Sequence, residues 1–175
     1  KNTEENILKR SKSCNLICIN GDNKRINKLI LGENLNVLRC LLYDSHLQGK
    51  INLVYIDPPF STKNVFKISE SRSNTISASK SDATAYKDLL QGADFIEFLR
   101  ERLIFIKELM SNEASIYLHI DYKVGHYVKI IMDEIFGINN FRNDITRIKC
   151  NPKNFERKAY GNIKDLILFY TKTDK

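Results

Sequence analysis

The stretch Ile51-Asn52-Leu53-Val54-Tyr55-Ile56-Asp57-Pro58-Pro59-Phe60 decides the fold. Its first six residues form an apolar run that reads as a buried strand. An acid, two prolines and an aromatic ring then project from the strand's carboxyl end. These residue types suit the grip of an exocyclic amino group on a flat heteroaromatic ring. An ionised aspartate only accepts hydrogen bonds, and a carbonyl of the Pro-Pro step can supply a second acceptor. Each proline fixes φ and lacks an N–H, so the loop is stiff and presents no donor to repel an amine. A following proline also pushes Asp57, and then Pro58, into extended geometry. Phe60 can stack on a base, a contact worth roughly 1–3 kcal/mol at nucleic-acid sites. Preorganised acceptors lower a barrier without moving during the reaction. The competing reading is a stiff turn after a strand, since turn chemistry also favours Asp and Pro.

Working outward, three apolar segments each end in polar or acidic residues. Leu29-Ile30-Leu31 runs into Gly32-Glu33-Asn34, the central run into Asp57, and Ser115-Ile116-Tyr117-Leu118-His119-Ile120 into Asp121. Helical periodicity lies between and after them. Leu35, Leu38, Leu41 and Leu42 share one face, and Phe95, Phe98, Leu99, Leu103, Ile106, Leu109 and Met110 predict a longer helix. A third uses Val124, Tyr127, Val128, Ile131, Ile135 and Phe136, closed by Gly137. Strands alternating with helices predict an α/β fold with a doubly wound, mainly parallel sheet. Two strands, roughly Asp144–Lys149 and Asp165–Thr171, add a C-terminal antiparallel hairpin. Ligands of such sheets bind beyond the carboxyl ends of the strands, so Glu33, Asp57 and Asp121 are expected to converge on one crevice.

In these stretches the chain resembles the adenine-specific DNA methyltransferases of the beta arrangement, among them the type III modification subunits. The matching segments are Leu31–Leu35, Leu53–Phe60, Phe98–Leu103, Ser115–Asp121, Met132–Gly137 and Asp165–Lys172. The resemblance implies a Rossmann-like domain that transfers a methyl group from S-adenosylmethionine to the amino nitrogen of an adenine flipped out of DNA. It implies that Asp57 and Pro58 hold the amine, with Pro59 stiffening the loop and Phe60 stacking on the base. The family more often carries tyrosine where Phe60 stands, but stacking needs only the ring. Asp rather than Ser before the prolines favours adenine over cytosine. Glu33, Asn34 and Asp57 are the expected cofactor contacts, with a helix cap as the alternative role of Asn34. Residues 1–25 then read as an N-terminal extension and 26–175 as the methyltransferase catalytic region. The family's glycine-rich cofactor loop and target-recognition region are absent from this sequence. The expectation is therefore the catalytic-motif half of a larger or split enzyme. Its expected partners are DNA and a missing C-terminal half or second subunit, with a restriction subunit a further candidate.

The net charge of +7 fits a polyanionic partner. Arg147, Lys149, Lys153, Arg157 and Lys158 lie near Phe155 and Tyr160 with few acids among them, a pattern suited to phosphates and unstacked bases. Lys63 and Lys67 extend the proposed DNA contacts beside the Asp-Pro-Pro motif. A solvated loop between two strands is the alternative. The Ser/Thr-rich stretch within 61–90 shows little periodicity and reads as a mobile loop, either a flap over DNA or a surface insertion. Cys14, Cys18, Cys40 and Cys150 lack zinc-site spacing and are expected to be reduced thiols, so no metal is expected. No run suits a membrane span or a signal peptide, so a cytoplasmic location is expected. His119 and Asp121 are expected to line the pocket floor without a catalytic step, while Tyr122 and His126 receive no role. No nucleophile–base pair stands out, and direct methyl transfer needs none. The rival readings are a non-catalytic DNA-binding component and, more distantly, an RNA or protein methyltransferase.

Overall fold

A computed structural model describes residues 4–9, 29–43, 46–58, 65–69, 72–76, 83–87, 93–149, 158 and 163–174, with the backbone alone at 65–69, 72–76 and 83–87. Its helices are α1 (Glu4–Lys9), α2 (Asn34–Tyr43), α3 (Ala93–Leu109) and α4 (Tyr122–Phe136). The main sheet comprises β1 (Ile51–Ile56), β5 (Met110–Asp121), β6 (Phe141–Ile148) and β7 (Lys164–Thr171), in the order β1-β5-β7-β6. β1 and β5 run parallel, and β7 is antiparallel to both β5 and β6. The result is a mixed α/β sheet carrying the expected hairpin at its C-terminal side.

Alternation along β5 explains how the sheet is seated. Ile116, Leu118 and Ile120 are fully buried, and on β7 Leu166, Leu168 and Tyr170 continue the same apolar face. Against it pack Phe95, Leu99, Leu103 and Phe105 of α3 and Val128, Met132, Ile135 and Phe136 of α4. Ile7 of α1 and Leu42 of α2 join this core, and Leu35, Leu38 and Leu41 are packed against it. Removing such surface from water drives folding at roughly 25 cal/mol per Å². Tyr127, expected on the buried face of α4, is exposed. On the other sheet face, Tyr117 stacks on Phe169 with ring centroids 4.5 Å apart. Leu53 and Tyr55 are exposed.

Two local devices place β1 and α4. Gly49 adopts φ +66° in the turn before β1, a conformation a β-carbon would penalise. That turn is pinned to the end of α3 by Gly49 N–H to Glu108 O and Lys50 N–H to Leu109 O, both 3.0 Å. Because α3 runs straight into β5, these bonds also bring β1 alongside it. At Gly125 on α4, a β-carbon would stand 2.8 Å from Leu166 Cδ1, so glycine lets the helix lie close on β7.

Three expectations are corrected. Leu29-Ile30-Leu31 is not a strand, and Leu29 and Leu31 are fully exposed: the run has no ladder partner among the described strands. The Ser/Thr-rich stretch carries three short strands, β2 (Val65–Ser69), β3 (Arg72–Ile76) and β4 (Ala83–Lys87), in an antiparallel sheet ordered β3-β2-β4. Val, Ile, Thr, Phe and Tyr within these strands are good strand formers, a preference the serines hide in a count of composition. Cys40 is disulfide-bonded rather than a free thiol. The other three cysteines lie outside the described residues, and pairing between distant positions cannot be read from spacing. Among the described residues, no helix is long and apolar enough to cross a membrane.

Candidate active site

Asp57 follows the last residue of β1, where the ladder ends and the side chain leaves the sheet. Parallel register sets Ile56 opposite Leu118, so His119 of β5 arrives beside Asp57. The two are joined by His119 Nδ1 and Asp57 Oδ1 at 3.0 Å. The Asp57 side chain is 57% exposed, whereas that of His119 is 8% exposed. A solvent-facing carboxylate therefore rests on a buried imidazole. Pro58, directly after it, is buried and holds the chain at this edge.

Behind His119 stands a second carboxylate. Antiparallel register sets Asp121 opposite Asp165, and the Asp165 side chain, 2% exposed, reaches back so that its Oδ2 lies 3.4 Å from His119 Nε2. A buried charge needs partners, and the hairpin supplies two. Arg147 Nη1 of β6 lies 3.2 Å from Asp165 Oδ2. Lys149 Nζ is ion-paired to Asp165 Oδ1 and lies 3.8 Å from Asp121 Oδ2. Burial raises the Asp165 pKa, but hydrogen bonding and charge from Lys149, then His119, hold it below the ordinary aspartate value. Asp121 caps α4, its Oδ1 accepting from the Lys123 N–H at 2.8 Å. Among the described residues, no group of acids, histidines and cysteines has the arrangement of a metal site.

Glu33 and Asn34 belong to another cluster. The Glu33 carbonyl accepts the first helical bond of α2 from Val37 N–H, and its Oε2 accepts from Asn36 N–H, both at 3.0 Å. Glu33, not Asn34, is thus the helix cap: a carboxylate one methylene longer than aspartate still reaches the first turn. Arg102 of α3 ties both residues down, donating from Nη2 to Glu33 Oε1 at 2.8 Å and from Nε to Asn34 Oδ1 at 2.6 Å. Burial acts to raise the Glu33 pKa, but the Asn36 and Leu35 amides and then Arg102 bring it below the usual glutamate value. Burial depresses that of Arg102, with the Glu33 partnership opposing it.

The structure therefore unites Asp57, His119, Asp121, Arg147, Lys149 and Asp165, and gathers Glu33 and Asn34 around Arg102. Arg147 and Lys149, expected to face phosphates, also answer carboxylates of this same edge. Lys158 is exposed, and Lys67 lies on β2, described by its backbone alone. Pro59, Phe60, Lys63, Lys153 and Arg157 lie outside the described residues. Sequence reasoning missed Asp165 and the link through His119. The available signal was an acid opening an apolar strand, Asp165-Leu166-Ile167-Leu168, and a histidine beside the Asp that ends β5.

A family model described as DNA methylase, N6_N4_Mtase, matches residues 51–175. The chain is 33% identical to the type II methyltransferase M.EcaI of Enterobacter cloacae, over 98% of this chain and 36% of that protein. It is 28% identical to the EcoP15I Mod subunit, a type III restriction-modification enzyme of Escherichia coli, over 82% of this chain and 24% of that one. A crystal structure of an M1.HpyAVI–SAM complex superimposes with a TM-score of 0.48 at 13% identity, covering 81% of this chain and 52% of that one. The chain spans about a third or less of the length of these curated relatives. With the family match running from the first residue of β1 to the end of the sequence, this chain belongs to the N6/N4 DNA methylase family.

Proposed function

We propose that this chain forms the amine-binding part of an S-adenosylmethionine-dependent methyltransferase acting on the exocyclic amino nitrogen of a flipped adenine in DNA. One observation carries the reading: Asp57, at the carboxyl end of β1, presents an exposed carboxylate that is braced from behind and followed by a buried proline. The amino nitrogen of adenine is a poor nucleophile because its lone pair is delocalised into the ring. Asp57 accepts one amine hydrogen and the Pro58 carbonyl the other. Together they favour a tetrahedral nitrogen whose lone pair points at an electrophile. Phe60 stacks on the base. The acceptors are fixed beforehand, so their contribution falls on the transition state.

S-adenosylmethionine, when bound, supplies the methyl group as an electrophile. The donor set fits it at Glu33, whose carboxylate is half exposed and has acceptor capacity beyond its bonds to Asn36 and Arg102. Glu33, Asn34 and Asp57 are the proposed contacts for the cofactor's hydroxyl and amine hydrogens. Lys63, Lys67, Arg147, Lys149, Lys153, Arg157 and Lys158 are the proposed contacts to DNA phosphates. Arg147, more than half exposed, has surface to offer them beyond its bond to Asp165.

The test is transfer of labelled methyl from S-adenosylmethionine to duplex DNA by the protein at its natural length, with Asp57→Ala alongside. The expected product is N6-methyladenine, lost in the variant while DNA binding persists. Transfer only to RNA or protein would overturn the substrate, and an active Asp57→Ala would overturn the mechanism. DNA binding without transfer at saturating cofactor would assign the chain as a DNA-binding component instead.

A further inference from the structure

We propose that His119 is a positioning residue for Asp57, and that buried Asp165, clamped by Lys149 and Arg147, sets the orientation of the His119 ring. The inference rests on the reading of Asp57 as the acceptor for the substrate amine. An exposed aspartate at a strand end would ordinarily sample several rotamers, and each wrong rotamer weakens a directed hydrogen bond. Here Oδ1 of Asp57 is engaged by His119 Nδ1 at 3.0 Å, which leaves Oδ2 to face solvent and a second donor. The imidazole can hold the carboxylate because it is itself held. The residue is buried, 6% exposed as a whole, on the face of β5 opposite Leu118 and Ile120.

The far side of the ring makes the arrangement directional. His119 Nε2 lies 3.4 Å from Asp165 Oδ2, so each ring nitrogen faces a carboxylate oxygen. Ionised carboxylates only accept, so Nδ1 donates to Asp57, and Nε2 stands against the fixed Asp165 carboxylate. Asp165 cannot turn away, because Arg147 bonds the same oxygen and Lys149 the other. A functional group, the ring that orients it and a third group that orients the ring form the ordered chain expected of a preorganised site. The parts come from four strands, β1, β5, β7 and β6, whose registers were fixed by packing on the opposite face.

The experiment uses the protein at its natural length with His119→Ala, His119→Gln, Asp165→Asn and the double variant His119→Ala/Asp165→Asn. Partners that orient a reacting group typically contribute tenfold to a hundredfold in activity. The expected result for His119→Ala is a fall of about that size in kcat for methyl transfer, with KM for DNA nearly unchanged. Glutamine, which still donates, restores part of it. Asp165→Asn gives a smaller fall that adds nothing once His119 is alanine. Ring-nitrogen NMR of 15N-histidine-labelled protein supplies a readout independent of turnover. Asp57→Asn, a change at an exposed side chain, is expected to shift the His119 signals, identified by their loss in His119→Gln. Unmoved ring signals, or wild-type kcat in both His119 variants, would overturn the proposal. Absence of adenine methylation by the wild-type protein, with the His119 signals still responding to Asp57→Asn, would instead fault the functional reading and leave the brace intact.

Discussion

Two charged clusters, one at the β1/β5/β7 edge and one between α2 and α3, use the same chemistry to opposite ends. Around Arg102 the cation is the buried member, 11% exposed, and its partner Glu33 is 51% exposed. Around Asp165 the anion is buried, at 2%, and the cations Arg147 and Lys149 reach toward solvent. The first cluster fastens two helices: Arg102 also donates to Phe98 O at 2.8 Å and lies 3.4 Å over the Phe98 ring. The bonds there all fasten the fold, and half-exposed Glu33 keeps the cluster's spare acceptor capacity. The second cluster spends its bonds on a histidine, and that histidine holds an acid which stays open. On the proposed reading, the network that ends on exposed Asp57 is organised for a ligand, and the one that ends on the Glu33 cap serves stability first.

Asp57→Ala is the largest test of that difference. Removing a single preorganised hydrogen-bonding group from an active site typically costs about 10²–10³ in kcat. The expected result is methyl transfer lowered by at least that factor, with a melting temperature close to wild type because the side chain is largely in water. A substantial loss of stability would make Asp57 a structural residue and erase the contrast.

Asp165→Ala should show the reverse, a stability effect as well as a kinetic one. Breaking a buried ion pair costs about 3–5 kcal/mol. Lys149 and Arg147 can both hydrate when released, so a loss nearer 2–3 kcal/mol in chemical denaturation is expected. The pH dependence follows from the lowered pKa of Asp165. Its contribution is complete above the unfolded aspartate value and is lost as pH falls through the lower folded value. Wild type should therefore lose stability across that acid window more steeply than Asp165→Asn. Equal slopes would mean the carboxylate gains nothing from its partners.

The two clusters were not equally legible. The position of Asp57 at the end of a strand could be read because its signal is local: an apolar run and the Asp-Pro-Pro-aromatic motif are contiguous. The three helices carrying most of the core were legible from their 3.6-residue spacing. Asp165 was not, because Arg147 and Asp165 meet only through the β6–β7 register and His119 only through β5–β7. Arg147 and Lys149 looked like free cations in a chain of +7 charge, and composition cannot say which acid a cation will answer. The placement of Glu33 was misread for the opposite reason. Its position after Leu29-Ile30-Leu31 suggested a strand end, but the run forms no strand and the carboxylate turns onto the helix that follows.

Arg102→Leu probes the helix-fastening cluster directly. Leucine fills part of the buried volume but leaves Glu33 Oε1, Asn34 Oδ1 and Phe98 O without their donor. Glu33 and Asn34 are exposed enough to turn to water, while the Phe98 carbonyl is less free to do so. A loss of about 2 kcal/mol in equilibrium unfolding is expected. If methyl transfer by the still-folded variant is unchanged, the cluster is structural alone. A raised KM for S-adenosylmethionine would show that Arg102 also presents Glu33 to the cofactor.

Glu33→Gln is the smallest and the most discriminating test. Glutamine keeps a carbonyl that can accept from Asn36 N–H, so most of the cap survives, and the half-exposed pairing with Arg102 is worth little in water. The expected loss is below about 1 kcal/mol. The lowered pKa of Glu33 sets its sign: the carboxylate's extra stability is present above the unfolded glutamate value and fades as pH falls through the folded one. At low pH, wild type and variant should therefore converge. Cofactor affinity is the independent axis. A carboxylate that accepts from cofactor hydroxyls is a stronger acceptor than an amide. Weaker S-adenosylmethionine binding with nearly unchanged stability would then make Glu33 a shared residue, capping α2 with one oxygen and serving the cofactor with spare acceptor capacity. Unchanged binding would return it wholly to the fold and leave Asp57 as the one open carboxylate that the two clusters present.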